Sequence, residues 1–88
     1  MRNNKQDDTL AEIFNVAGRF IIEGGELPKM RGDERQIRAI RRAALASRRF
    51  YEALCNESAS LDAVSVMLEE RQRAADNFKR VIGREWRF

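Results

Sequence analysis

Apolar residues recur at helical spacing in three stretches of the chain, and glycine-containing or polar segments separate these stretches. In the first stretch, Thr9 and Glu12 form a Thr-x-x-Glu capping box, and Gly24 and Gly25 end the pattern. We therefore predict a first helix over residues 9–23. Its apolar residues lie mostly three or four positions apart, at Leu10, Ile13, Phe14, Ala17, Phe20 and Ile21.

Two longer helical patterns follow, with a short polar connector between them. Asp33 is a suitable N-cap for a helix over residues 33–54, and nothing within that range breaks a helix. Ser60 caps a third helix over residues 61–82, which Gly83 ends. Because no stretch alternates with the period of a strand, we predict an all-α fold. The two long helices should form an antiparallel hairpin, and the shorter N-terminal helix should lie across it as a three-helix bundle.

The length of 88 residues fits a single domain. We expect a flexible N-terminal segment at 1–8, one three-helix domain at 9–82 and an aromatic, basic tail at 83–88. A chain this short buries only about 60–65% of its unfolded surface, so we also expect self-association, for example as a homodimer. The predicted core lies on the apolar helix faces and comprises Ile13, Phe14, Ala17, Ile21, Ile37, Ile40, Ala44, Phe50, Leu54, Val64, Leu68, Ala75, Phe78 and Ile82.

The composition argues against several kinds of chemistry. The chain has no histidine, and Cys55 is its one cysteine, so His-based triads, His metal ligands and an intramolecular disulfide are excluded. The acidic residues of the third helix are spaced for surface ion pairs rather than for a metal ion. We therefore expect no enzymatic activity, no cofactor and no metal site. With no apolar N-terminal run and no segment of membrane-spanning length, we expect a soluble cytoplasmic protein with no membrane partner.

Positive charge is concentrated in and just before the second helix. The whole chain has a net charge of +3, but residues 29–49 carry +6 and the remaining residues carry −3. On a helical projection, apolar residues occupy one side of the second helix and arginines occupy most of the other. These arginines form an arginine stripe, and with the preceding loop the predicted binding residues are Arg31, Arg35, Arg38, Arg41, Arg42, Arg48 and Arg49.

A one-sided row of guanidinium groups suits a polyanion, because each group can bind a phosphate bidentately and release its counterions. We therefore predict a small regulatory protein that binds the phosphate backbone of nucleic acid, or another polyanion, through the arginine stripe. A solvated helix face in an arginine-rich protein is the competing explanation, since 14 of the 17 basic residues are arginine. No zinc-ligand set or heptad zipper is present, so the sequence gives no indication of base-specific DNA recognition if DNA is bound.

The alternative function is that of a protein–protein adaptor, inhibitor or chaperone of the compact bacterial or phage type. Such a protein would use the arginine stripe on an acidic partner, or a surface formed by Arg71, Trp86 and Phe88. Arg71 falls within the apolar arc of the third helix, where a charge must reach solvent, pair within the monomer or face another chain. Trp86 and Phe88 either fold back onto the bundle or form an exposed anchor for a partner.

Overall fold

The computed structural model describes the backbone of residues 4–88 and the side chains from Thr9 onward. It contains three helices, α1 (Asn4–Glu23), α2 (Glu34–Cys55) and α3 (Leu61–Ile82), with no strand in this described part. The α2 and α3 helices pack most closely, and α1 packs on α2, so the predicted all-α helical bundle is confirmed. None of these helices has both the length and the apolar character needed to cross a membrane.

The two long helices begin at their predicted caps. The carboxylate of Asp33 accepts a hydrogen bond of 2.7 Å from the backbone N–H of Arg35 at the start of α2. The hydroxyl of Ser60 accepts one of 3.1 Å from the N–H of Ala63 at the start of α3. These local hydrogen bonds satisfy amides of the first helical turn that have no carbonyl partner inside the helix.

The first helix is longer than its sequence pattern predicts. It begins at Asn4, so Thr9 lies within the helix and does not serve as its N-cap. Residues 4–8 of the predicted flexible segment are therefore helical, whereas residues 1–3 lie outside the described residues. A Thr-x-x-Glu sequence is compatible with a helix interior as well as with a helix start, and here the polar residues before it continue the helix.

The α1 helix does not lie across the hairpin but runs in the same direction as α2. Ile13, in the middle of α1, lines a shared cavity with Ile40 of α2, and Ile21 near the end of α1 contacts Arg48 further along α2. Residues 24–33 return the chain to the start of α2, and ten residues suffice for that return. Gly24 permits the reversal because it adopts a φ of +84°.

The C-terminal tail fills the space between α1 and α3. Beyond Gly83 the chain turns back, and the buried indole of Trp86 packs on Phe14 and Phe78, with ring centroids 5.7 and 4.9 Å away. The indole N–H donates a hydrogen bond of 2.8 Å to the hydroxyl of Ser47, which is also buried. Trp86 thus contacts all three helices, and the alternative in which it folds back onto the bundle is the one observed.

A charge pair spans the reversal of the tail. The ammonium nitrogen of Lys79 lies 2.7 Å from a carboxylate oxygen of Glu85. This hydrogen bond and the negative charge of Glu85 raise the pKa of Lys79 above its ordinary value. Both side chains are largely exposed, so the pair contributes little to stability beside the burial of Trp86.

Most of the predicted core residues are buried or half-buried, but two are not. Leu54 is 58% exposed and Leu68 is 39% exposed, so their assignment to the core was wrong. Phe50, between the buried core and these two leucines, is half-buried. This end of the predicted core is exposed because α1 ends beside Arg48 and leaves the following turns of α2 uncovered.

The hydrogen bond between Ser47 and Trp86 leads to a stability prediction. Ser47→Ala should lower the free energy of unfolding by about 1–3 kcal/mol, because the buried indole N–H loses its acceptor. Ser65→Ala is the matched control, since Ser65 lies exposed on α3, and it should change stability by less than about 0.5 kcal/mol. Urea denaturation of both variants measures the difference, and equal effects would contradict the described packing.

Candidate functional site

A groove of about 530 Å³ lies between α2 and α3. Its floor contains Leu45, Ala46 and Ala74, and Glu70 is the acidic residue in the lining. We call this feature the basic groove, because five arginines from two helices line it: Arg38, Arg41, Arg42, Arg49 and Arg73. The predicted arginine stripe thus supplies four of these groups, and α3 supplies the fifth.

Small residues between the helices explain why the arginines line a shallow groove. Ala39, Ala43 and Ala46 of α2 and Ala74 of α3 are all buried. Side chains of this size let the two helices approach closely, so the longer side chains beside them extend outward along the edges of the contact. The helical spacing of α2 then brings Arg38, Arg42 and Arg49 to the same edge.

The charges of the basic groove are only weakly compensated within the chain. Arg38 lies 3.8 Å from Glu34, and Arg49 lies 4.0 Å from Glu70. Both pairs are largely exposed and near the distance limit of an ion pair, so they contribute little energy and can be exchanged for another anion. Among the described residues, the other three arginines of the groove form no ion pair. The groove therefore concentrates positive potential.

Arg48 belongs to the predicted stripe but lies outside the basic groove. Its guanidinium group donates hydrogen bonds to the carbonyl oxygens of Ile21 at 2.6 Å and Ile22 at 3.2 Å, and it also contacts Glu52 at 3.2 Å. The carbonyls in the last turn of a helix have no intrahelical partner, so Arg48 satisfies the end of α1. This contact also requires Gly24, since a Cβ there would lie 3.1 Å from a guanidinium nitrogen.

Two other predicted residues also lie away from the basic groove. Arg31 lines a separate cavity between α1, the loop and α2, with a volume of about 380 Å³. Arg35 is exposed in the first turn of α2 and does not line the groove. The structure thus divides the seven predicted arginines into a group of four in the groove and a group of three elsewhere.

The predicted interface of Arg71, Trp86 and Phe88 packs within the chain. Arg71 donates a hydrogen bond through Nε to the carbonyl oxygen of Phe88, and its guanidinium carbon lies 6.0 Å from the centroid of the Phe50 ring. The Phe88 ring packs on the ring of Trp86 with a centroid distance of 5.6 Å. Of the possibilities for Arg71, pairing within the monomer is therefore the one found.

Arg73 is the residue of the groove that the sequence pattern did not identify. Helical spacing relates a residue only to neighbours on its own helix, so the pattern of α3 could not place Arg73 beside arginines of α2. Its proximity to Arg42 and Arg49 follows from the register of the α2–α3 hairpin. One sequence feature could have indicated its position beside the helix contact: Arg73 directly precedes Ala74, at the edge of the apolar arc of α3.

No site for a metal ion is evident in the described part of the chain, where no three His, Cys, Asp or Glu side chains cluster suitably. Cys55 is an exposed free thiol at the end of α2. Comparison with protein-family models, curated proteins and solved structures finds no match to this chain. The basic groove is therefore the feature from which a function is inferred.

Because Arg48 and Arg42 lie in different surroundings, their replacement by alanine should have different effects on stability. Arg48→Ala should lower the free energy of unfolding by about 1–3 kcal/mol, because two carbonyls at the end of α1 lose a charged donor. Arg42→Ala should change it by no more than about 0.5 kcal/mol, since Arg42 is exposed. Thermal and urea denaturation of the two variants measure this contrast, and a stable Arg48→Ala protein would contradict the role assigned to Arg48.

Proposed function

We propose that the chain is a small, cytoplasmic, non-enzymatic regulatory protein that binds the phosphate backbone of nucleic acid through the basic groove. The observation that carries this proposal is the presence of five arginines around one groove whose lining includes a single acidic residue. Guanidinium groups bind phosphate oxygens bidentately, and each phosphate neutralised releases condensed counterions. Binding therefore replaces the repulsion among the arginines with charge-assisted hydrogen bonds.

The dimensions of the groove fit a stretch of nucleic-acid backbone. Arg38 and Arg49 are separated by eleven positions in α2, a rise of about 16 Å. That distance corresponds to roughly five base pairs along a duplex. Arg73 adds a second line of contact from α3, so that phosphates would be gripped from both sides of the groove. Contacts of this kind position a duplex without reading its bases, and the proposed binding is insensitive to sequence.

An acidic protein surface is the second candidate partner of the basic groove. Leu45 favours it, because this side chain is 43% exposed in the groove floor and offers apolar contact that a phosphate backbone does not use. Under this alternative the chain is an adaptor or inhibitor. The homodimer stays a prediction, although the packing of Arg71 and Trp86 within the chain removes the reason for pairing copies through them.

Arg73 gives the sharpest test of nucleic-acid binding by the groove. Arg73→Ala and Arg42→Ala should weaken binding to labelled duplex DNA to a similar extent, because each removes a phosphate contact. Each should also lower the slope of log affinity against log salt by about one. Arg19→Ala is the matched control, since it removes an exposed arginine on α1 and should have a much smaller effect. Fluorescence anisotropy at two salt concentrations measures all three variants.

The same titrations separate the competing explanations. If Arg35→Ala weakens binding as Arg42→Ala does while Arg73→Ala has no effect, the arginine stripe of α2 is the binding site. The assignment of binding to the basic groove is then wrong. If the wild type binds no duplex even at low salt, nucleic-acid binding is wrong. An acidic peptide that binds the wild type and loses affinity with Arg42→Ala would then support the adaptor alternative.

A further inference from the structure

The α2–α3 hairpin is basic at one end and acidic at the other. Residues 33–49 contain six basic and two acidic residues, and residues 71–88 contain the same numbers. Residues 50–70, between them, contain five acidic residues and no basic residue. Because the two helices run antiparallel, the basic part of α2 lies beside the basic part of α3, and the connector at 56–60 lies at the acidic end. The basic groove therefore has two unlike ends.

Glu70 lies at the acidic end of the basic groove. Its carboxylate is 4.0 Å from the guanidinium group of Arg49, and it is the acidic residue of the groove lining. A phosphate that binds Arg49 therefore comes close to a like charge and competes with Glu70 for the same partner. The neighbouring Glu69 does not line the groove, so Glu70 is the carboxylate that a bound backbone meets first at this end.

The α3 helix has a further arginine beyond the other end of the groove. Arg80 follows Arg73 by seven residues, which places it about two turns further along nearly the same face of α3. Arg49 and Glu70 are a facing pair of the antiparallel hairpin. Ten residues further along α3, and ten residues back along α2, are Arg80 and Ala39. Arg80 therefore lies beside the first two turns of α2, at the end of the groove away from the connector.

The side chain of Arg80 is available to a ligand. It is exposed, and it forms no ion pair among the described residues, although Asp76 precedes it by one turn of α3. The adjacent Lys79 differs, because its ammonium group is paired with Glu85 at 2.7 Å. On α2, the exposed Arg38 lies at the same end of the groove as Arg80. Arginines of both helices thus continue the basic surface past this end.

These charges determine in which direction a bound backbone extends. A phosphate chain that passes Arg49 meets Glu70 and then a segment without positive charge, whereas one that leaves at the start of α2 meets Arg80. We propose that a nucleic-acid backbone leaves the basic groove only at the start of α2, with Glu70 as the boundary residue and Arg80 as an additional phosphate contact. This proposal rests on the function proposed for the groove and adds the extent of the contact.

Replacement of Arg80 tests the extended end. Arg80→Ala should weaken binding to labelled duplex DNA about as much as Arg42→Ala, and it should lower the slope of log affinity against log salt by about one. Lys79→Ala is the matched control, since it removes the adjacent positive charge of α3, which Glu85 already compensates. It should have a much smaller effect. Fluorescence anisotropy at two salt concentrations measures these variants.

Replacement of Glu70 tests the boundary. Glu70→Gln should strengthen duplex binding at low salt by about threefold or more, because Arg49 loses the competing carboxylate. Glu69→Gln is the matched control, since it removes the same charge from the adjacent residue, which does not line the groove. It should strengthen binding by less than about twofold. Circular dichroism of each variant verifies that the helices remain intact.

The exposed thiol of Cys55 allows a direct test of direction, because it lies beside the connector. An iron–EDTA group attached to Cys55 should leave a bound duplex uncleaved, since the backbone does not extend past this end. The same group attached to Asp76→Cys, in a Cys55→Ser background, should cleave the duplex. Asp76 is exposed and lies one turn of α3 before Arg80.

These experiments separate the failure of this proposal from that of the proposed function. If the wild type binds no duplex at low salt, both are wrong. If Arg42→Ala weakens binding but Arg80→Ala behaves like Lys79→Ala, the groove still binds and its extension past the start of α2 is wrong. Equal affinities of Glu70→Gln and Glu69→Gln would overturn the boundary. Cleavage from Cys55 as strong as that from the cysteine at position 76 would overturn the direction.

Discussion

The buried hydrogen bond from the Trp86 indole to Ser47 is the interaction on which the arrangement of the bundle depends. Trp86 packs on Phe14 of α1 and Phe78 of α3 while it bonds to α2, so one side chain joins all three helices. The α1 and α3 backbones are not adjacent in the described chain, and the tail occupies the space between them. The hydrophobic core of a small helical protein is small. A large buried aromatic side chain whose polar atom is hydrogen-bonded therefore supplies much of that core.

This packing gives Arg48 and Arg71 a different physical role from the arginines of the basic groove. Arg48 and Arg71 lie on the side of the hairpin that α1 and the tail cover, where backbone carbonyl oxygens accept their hydrogen bonds. The arginines of the basic groove lie along the contact between α2 and α3 and are exposed, with weak or no ion pairs in the described structure. Arginines of the first group hold the fold together, and those of the second are available to an anion.

Local chemistry made part of this structure predictable. The caps at Asp33 and Ser60 and the glycine stop at Gly83 depend only on neighbouring residues. The observed bounds of α2 and α3 therefore agree closely with those predicted from the sequence. The direction of α1 depends on a ten-residue return loop and on contacts between residues far apart in the chain, which periodicity does not encode. For the same reason, helical spacing placed Leu54 on the apolar face but did not reveal that α1 ends before covering it.

The candidate site was predictable to a similar degree. Four of its arginines follow from the amphipathic pattern of α2, whereas Arg73 joins them only through the register of the hairpin. Arg48 was indistinguishable from its neighbours by charge, because its role depends on where α1 ends. Residue type and spacing thus revealed a basic surface, and tertiary structure determined which of its members face one groove.

Trp86 closes one side of the hairpin, and the function that we propose assigns polyanion binding to the basic groove. The most direct measurement is an NMR titration of the labelled protein with a short DNA duplex at low salt. If the basic groove binds the duplex, the side-chain Nε–Hε signals of Arg42, Arg49 and Arg73 shift, while the Trp86 indole and Arg48 signals stay unchanged. Shifts centred on the Trp86 indole or on the connector between α2 and α3, or no shifts at all, would contradict binding in the groove.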